Sequence, residues 1–167
     1  MTHQSKLAAL IVAIMLATAP IAARATEGAE IAGFQAFLFN SGTGGFSPDV
    51  IKNQITLGNI VASDYQSVST FVVVDIGSGD APLPDAARLR LTATEAGKTG
   101  ARVLLDSTQR PRTTGTPGVT HVGFWLADTG CAVITLRATL TANSKAAGKT
   151  ITKSNTKTTT LDFHCYE

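Results

Sequence analysis

The chain has 167 residues, with 14 Lys and Arg against 12 Asp and Glu, and a formal charge of +2. Both surplus cations, Lys6 and Arg24, fall within the first 25 residues, so the remaining 142 (167 − 25) are formally neutral. That length suits one domain with a proper core, and the neutral balance excludes the basic pI as an argument for nucleic-acid binding.

Residues 1–25 follow the order of an export signal: Lys6 as the positive start, Leu7 to Ala19 as the apolar stretch, and Ala23-Arg24-Ala25 as a small-residue cleavage site. The apolar stretch is too short to span a bilayer comfortably. No cysteine follows the cleavage site, which argues against a lipid anchor there. The pattern predicts a periplasmic or secreted domain over residues 26–167, with no transmembrane segment in the mature chain.

Ile31 to Asn40 is the first predicted strand, with both faces apolar, as in a central strand. Ser41 to Gly45 breaks it, and Ser47-Pro48-Asp49 adds a turn. Ile55 to Ala62 is a weaker strand. Ser69 to Ile76, centred on Phe71-Val-Val-Val74, is the most β-prone run and is expected mid-sheet. Arg88 to Thr94 places Leu89, Leu91 and Ala93 on one face, and forms a predicted hairpin with Ala101 to Asp106. Gln109 to Gly118 is a polar loop. Val119 to Leu126 is a strand whose adjacent Phe124 and Trp125 point to opposite faces, one of them to the core.

The C-terminal third holds the two runs most plainly built to pair. In Cys131 to Thr141, Ala132, Ile134, Leu136, Ala138 and Leu140 share a face. A Thr-rich run from Thr150 to Cys165 follows the turn residues Asn143 to Gly148. Folding back at Gly148 brings Cys131 opposite Cys165. The two cysteines of an exported chain most often form one disulfide, contributing on the order of 3 kcal/mol. A directly opposed bond would place Cys131, Val133, Leu161 and Phe163 on one face, away from Ile134, Leu136 and Leu140. A bulge, a position of Cys131 in the preceding turn, or a bond between sheets would each resolve the conflict. Seven or eight short strands with no amphipathic helix predict an all-β, immunoglobulin-like antiparallel β-sandwich, with a small closed barrel as the alternative.

Few residues suggest chemistry. Gly97-Lys98-Thr99 and Gly148-Lys149-Thr150 each end like a phosphate loop, but Thr92 and Asn143 stand where the first glycine is required. A Gly-x-Ser-x-Gly nucleophile elbow is absent. His121, Asp162 and His164 form a sparse candidate metal set, with Asp162 and His164 on one strand face. Lys149, Lys153 and Lys157 would line one strand face, as a stripe for anionic glycans or lipid headgroups or, more simply, as protection of an exposed sheet edge. Trp125 is a candidate for sugar stacking or a protein contact.

Phe37-Leu-Phe-Asn40-Ser-Gly-Thr-Gly44, Phe46-Ser-Pro-Asp49, Thr70-Phe-Val-Val-Val74, Leu89-Arg-Leu-Thr-Ala93, Val103-Leu-Leu105 and Phe124-Trp-Leu-Ala-Asp-Thr-Gly-Cys131 together resemble a group of small exported bacterial proteins with no known activity. The resemblance runs in order over most of the mature chain, and Phe163-His-Cys165 is similar to the group's closing cysteine segment. It implies a bacterial envelope protein with a paired cysteine. With no catalytic constellation and no cofactor motif, the sequence points to a non-enzymatic domain binding an envelope protein or a glycan. The competing expectations are an assembling, pilus-like subunit and a metal-dependent periplasmic enzyme.

Overall fold

The structure, a computed structural model, describes residues 29–54, 69–79, 83–84, 86–97, 100–112, 118–127, 129, 132–146 and 149–163. The export signal predicted over residues 1–25, the weak strand predicted over Ile55 to Ala62, Cys131, His164 and Cys165 lie outside these residues.

Among the described residues the chain is all-β, with eight strands. They are β1 (Glu30–Asn40), β2 (Gly45–Phe46), β3 (Ser69–Gly77), β4 (Arg88–Glu95), β5 (Arg102–Gln109), β6 (Val119–Leu126), β7 (Ile134–Ala146) and β8 (Lys149–Leu161). They form two antiparallel four-stranded sheets, ordered β2-β1-β3-β6 and β5-β4-β7-β8, packed as a β-sandwich. The mid-sheet position expected for Ser69 to Ile76 is the one found, with β3 between β1 and β6.

Strict alternation builds the core. In β3, Thr70, Val72, Val74 and Ile76 point inward, and in β7 Ile134, Leu136, Ala138 and Leu140 do the same from the facing sheet. With Leu89, Leu91 and Ala93 from β4 and Val122, Phe124 and Leu126 from β6, the apolar side chains among them make one continuous cluster. Each fully buried Leu or Ile contributes about 1.5–3 kcal/mol relative to exposure. Thr70 is the one hydroxyl among the largest fully buried side chains, and its Oγ1 bonds Thr129 Oγ1 at 3.3 Å.

Side-chain straps close the two open sides of the sandwich. On one, Asn155 of β8 accepts from Ile31 N at 2.9 Å, and Lys157 Nζ donates to Ala32 O at 2.6 Å. Both backbone groups sit at a bulge in β1 between Ile31 and Gly33. On the other, Gln109 at the end of β5 donates its amide to Gly123 O of β6 at 3.0 Å.

The β7–β8 hairpin is offset by one residue from a reversal centred on Gly148. Strand β7 runs on through Asn143 to Ala146, and Ile134 pairs with Leu161. A one-residue slip moves every side chain of a strand to the other face. The observed register puts Leu161 on the core face beside Ile134, whereas a fold centred on Gly148 would turn Leu161 away from it. Strand β7 begins at Ile134, three positions after Cys131.

Candidate functional site

The outward face of the β2-β1-β3-β6 sheet carries an arrangement that the sequence reading did not assemble. Phe37 and Phe39 of β1, Phe46 of β2, Phe71 of β3 and Trp125 of β6 all lie on this face, half of the chain's ten aromatic residues. Four of the rings contact one another. Phe39 lies 5.4 Å from Phe46 and 5.6 Å from Trp125 between centroids, while Phe71 lies 6.0 Å from both Phe46 and Trp125. Phe46 meets Trp125 edge-on at 6.2 Å and 83°. These separations fall within the range of favourable tilted and edge-to-face ring pairs.

Expectation and structure agree that Phe124 and Trp125 diverge, with Phe124 3% and Trp125 44% exposed. Phe46 is 55% exposed. The two apolar faces expected of Ile31 to Asn40 are real, but only one packs in the core: Ala36 and Leu38 are fully buried, whereas Phe37 and Phe39 belong to the aromatic face.

Gly123 is the floor of this cluster. A Cβ placed there would lie 2.4 Å from Phe71 Cζ and 2.8 Å from Phe71 Cε2, so the Phe71 ring rests directly on the bare backbone of β6. An aromatic ring laid over a cross-strand glycine covers apolar area that the glycine leaves open.

Along the same sheet face from the rings runs a polar row. Gly33, Asp75 and His121 stand side by side on β1, β3 and β6, and Gln35 is two positions along β1 from Gly33. His121 Nδ1 meets Asp75 Oδ1 at 2.6 Å, and Gln35 Nε2 donates to Oδ1 and Oδ2 of Asp75 at 3.1 and 3.0 Å. The Asp75 side chain is 17% exposed and that of His121 60%.

Hydrogen-bond polarity fixes what this row offers. The Asp75 carboxylate only accepts, so Nδ1 of His121 carries the proton in the bond between them. Gln35 spends its amide N–H groups on Asp75, which leaves its Oε1 as an acceptor too. The row is therefore rich in acceptors held in place by one another. The strands of this sheet contain two acids, Glu30 and Asp75, and no Lys or Arg. Its field favours hydroxyl donors over anions.

The sequence-derived candidates are distributed differently. His121 is partnered by Asp75, 46 residues away, while Asp162 follows β8 in the other sheet and His164 lies outside the described residues. Among the described residues there is no group of three or more His, Cys, Asp or Glu side chains placed to hold a metal ion. Lys149, Lys153 and Lys157 share one face of β8, as their spacing predicts, since their partners Ala146, Ala142 and Ala138 alternate along β7. They belong to the sheet opposite Trp125 and do not extend its surface.

No helix among the described residues is long and apolar enough to cross a membrane. No protein-family model matches the chain, and no curated protein matches it.

Proposed function

We propose that this is a non-enzymatic binding domain of the cell envelope that recognises a neutral glycan on the outer face of the β2-β1-β3-β6 sheet. One observation carries the reading: an exposed aromatic cluster, Phe39–Phe46–Phe71–Trp125, lies on the same sheet face as an interlocked acceptor row, Gln35–Asp75–His121. A sugar ring presents an apolar C–H surface and a rim of hydroxyl donors, and these match an aromatic platform and a set of fixed acceptors. The sheet's two acids and absence of Lys and Arg select against uronic, sulfated or phosphorylated glycans. The broad sheet face suits an extended chain better than a single enclosed sugar.

The test is retention of the purified mature domain on a panel of neutral and acidic polysaccharides, by affinity electrophoresis and by pull-down on insoluble polymers. Retention by one or more neutral polymers, lost in Trp125→Ala and in Asp75→Ala, supports the reading. Retention confined to acidic polymers, or unaffected by both substitutions, refutes it.

A further inference from the structure

The opposite sheet ends in a feature that glycan recognition does not use. Pairing between β4 and β7 stops at Arg88 and Thr141, but β7 and β8 remain paired for five further residue pairs, from Ala142 with Lys153 to Ala146 with Lys149. The hairpin thus continues about 17 Å beyond its third strand as a two-stranded ribbon. From Ile134 to Leu161 the sequence contains Arg137, Lys145, Lys149, Lys153 and Lys157 and no acid. Positive charge is concentrated on this hairpin in a mature chain that is neutral as a whole.

The lysines of β8 divide into two roles. Lys157 is engaged, its ammonium on Ala32 O in the facing sheet. Lys149 and Lys153 are exposed on the ribbon, and on the same strand face between them stands Ile151, 44% exposed. Lysine alone would protect an open edge. Edge protection does not call for an exposed isoleucine between two lysines at the projecting end.

We propose that the β7–β8 ribbon docks on an anionic lipid surface, with Lys149 and Lys153 at the headgroups and Ile151 entering the boundary beneath them. Charge complementarity and the apolar residue at the centre select this partner. Ammonium groups are attracted to a negative leaflet, and a β-branched apolar side chain gains by leaving water there. Other anionic polymers fit less well. The ribbon has no aromatic ring on which a base or a sugar would stack and no arginine for bidentate contacts, since Arg137 lies in the three-stranded part of the sheet. Lys149 and Lys153 give a peripheral, salt-sensitive attachment. Each is expected to change partitioning about fivefold, which corresponds to about 1 kcal/mol near an anionic membrane.

The experiment is co-sedimentation of the mature domain with vesicles of phosphatidylcholine, with and without phosphatidylglycerol, over a salt series. Binding is expected only with phosphatidylglycerol. It should weaken as salt rises, fall about 25-fold in Lys149→Gln/Lys153→Gln, and fall in Ile151→Ser with the salt dependence unchanged. Near-UV circular dichroism verifies that these surface variants are folded. Equal partitioning to both vesicle types, full binding by the double lysine variant, or binding to polyphosphate or polygalacturonate without binding to vesicles would each overturn the proposal. Trp125→Ala is expected to leave vesicle binding intact, which separates this surface from the aromatic face.

Discussion

Replacing Gly123 by alanine tests whether the aromatic face is a built surface or a chance gathering of rings. The backbone at Gly123 is not in the left-handed region, so alanine meets no conformational barrier there. Exchanging glycine for alanine inside a strand favours the fold by about 0.5–1 kcal/mol. The new methyl, however, would occupy the space of Phe71 Cζ and Cε2, at 2.4 and 2.8 Å, and the ring must swing away. Phe71 then gives up its contacts with Phe46 and Trp125, each ring pair being worth about 0.5–1.5 kcal/mol. The opposing terms leave a net destabilisation of about 1 kcal/mol, read by urea denaturation. Binding should suffer more than stability, falling at least on the order of tenfold, because one wall of the platform is gone. Trp125 is the only tryptophan in the chain, so its emission and near-UV circular dichroism report the local rearrangement without ambiguity. A variant with wild-type near-UV signal and undiminished glycan retention would refute the argument that Phe71 is seated on Gly123 to form the site.

Three further predictions concern the scaffold. Leu136→Ala, at a fully buried position between the sheets, should cost about 2–5 kcal/mol in urea unfolding, and a loss below 1 kcal/mol would show that the core is not packed as described. Asn155→Ala removes the acceptor of Ile31 N at the β1 bulge and should cost about 1 kcal/mol, with faster hydrogen exchange at that amide as the direct readout. The Arg90 guanidinium holds the Asp106 carboxyl below the usual carboxylate range through a pair of hydrogen bonds at 2.6 and 2.7 Å. A carboxyl whose acidity is greater in the folded state contributes stability above its unfolded pKa and loses it as pH falls through the folded value. Wild type should therefore be slightly more stable than Asp106→Asn at neutral pH and low salt. The two should converge on acidification below the carboxylate range, and also at high salt, since the pair is exposed.

The scaffold was largely legible in the sequence because its strands alternate cleanly. Leu89-Arg-Leu-Thr-Ala93 and Ile134-Thr-Leu-Arg-Ala138 each declare a buried and a solvated face, and the structure uses those faces. The hairpin register was not legible, because Asn143 to Gly148 reads as turn chemistry although the strand continues to Ala146. Turn residues mark where a chain can reverse, while core burial of Ile134 and Leu161 decides where it does. The aromatic face was hidden for a different reason: its four mutually contacting rings come from four strands, and Phe46 lies next to the Gly-rich segment that reads as a strand breaker. Trp125 alone stood out as a surface aromatic. His121 was visible as a candidate, but Asp75, its partner, sits within a run dominated by valine and isoleucine. Cross-strand neighbours of this kind follow from sheet order, which local pattern does not encode.

The central claim is that the face containing Trp125 binds a neutral glycan, and titration of the intrinsic tryptophan emission with soluble neutral oligosaccharides tests it most directly. A saturable change in emission with at least one such ligand, abolished by Asp75→Ala without loss of folding, is the predicted result. Unchanged emission across the neutral ligands, with the domain folded and the same ligands at concentrations that saturate the pull-down, would contradict it.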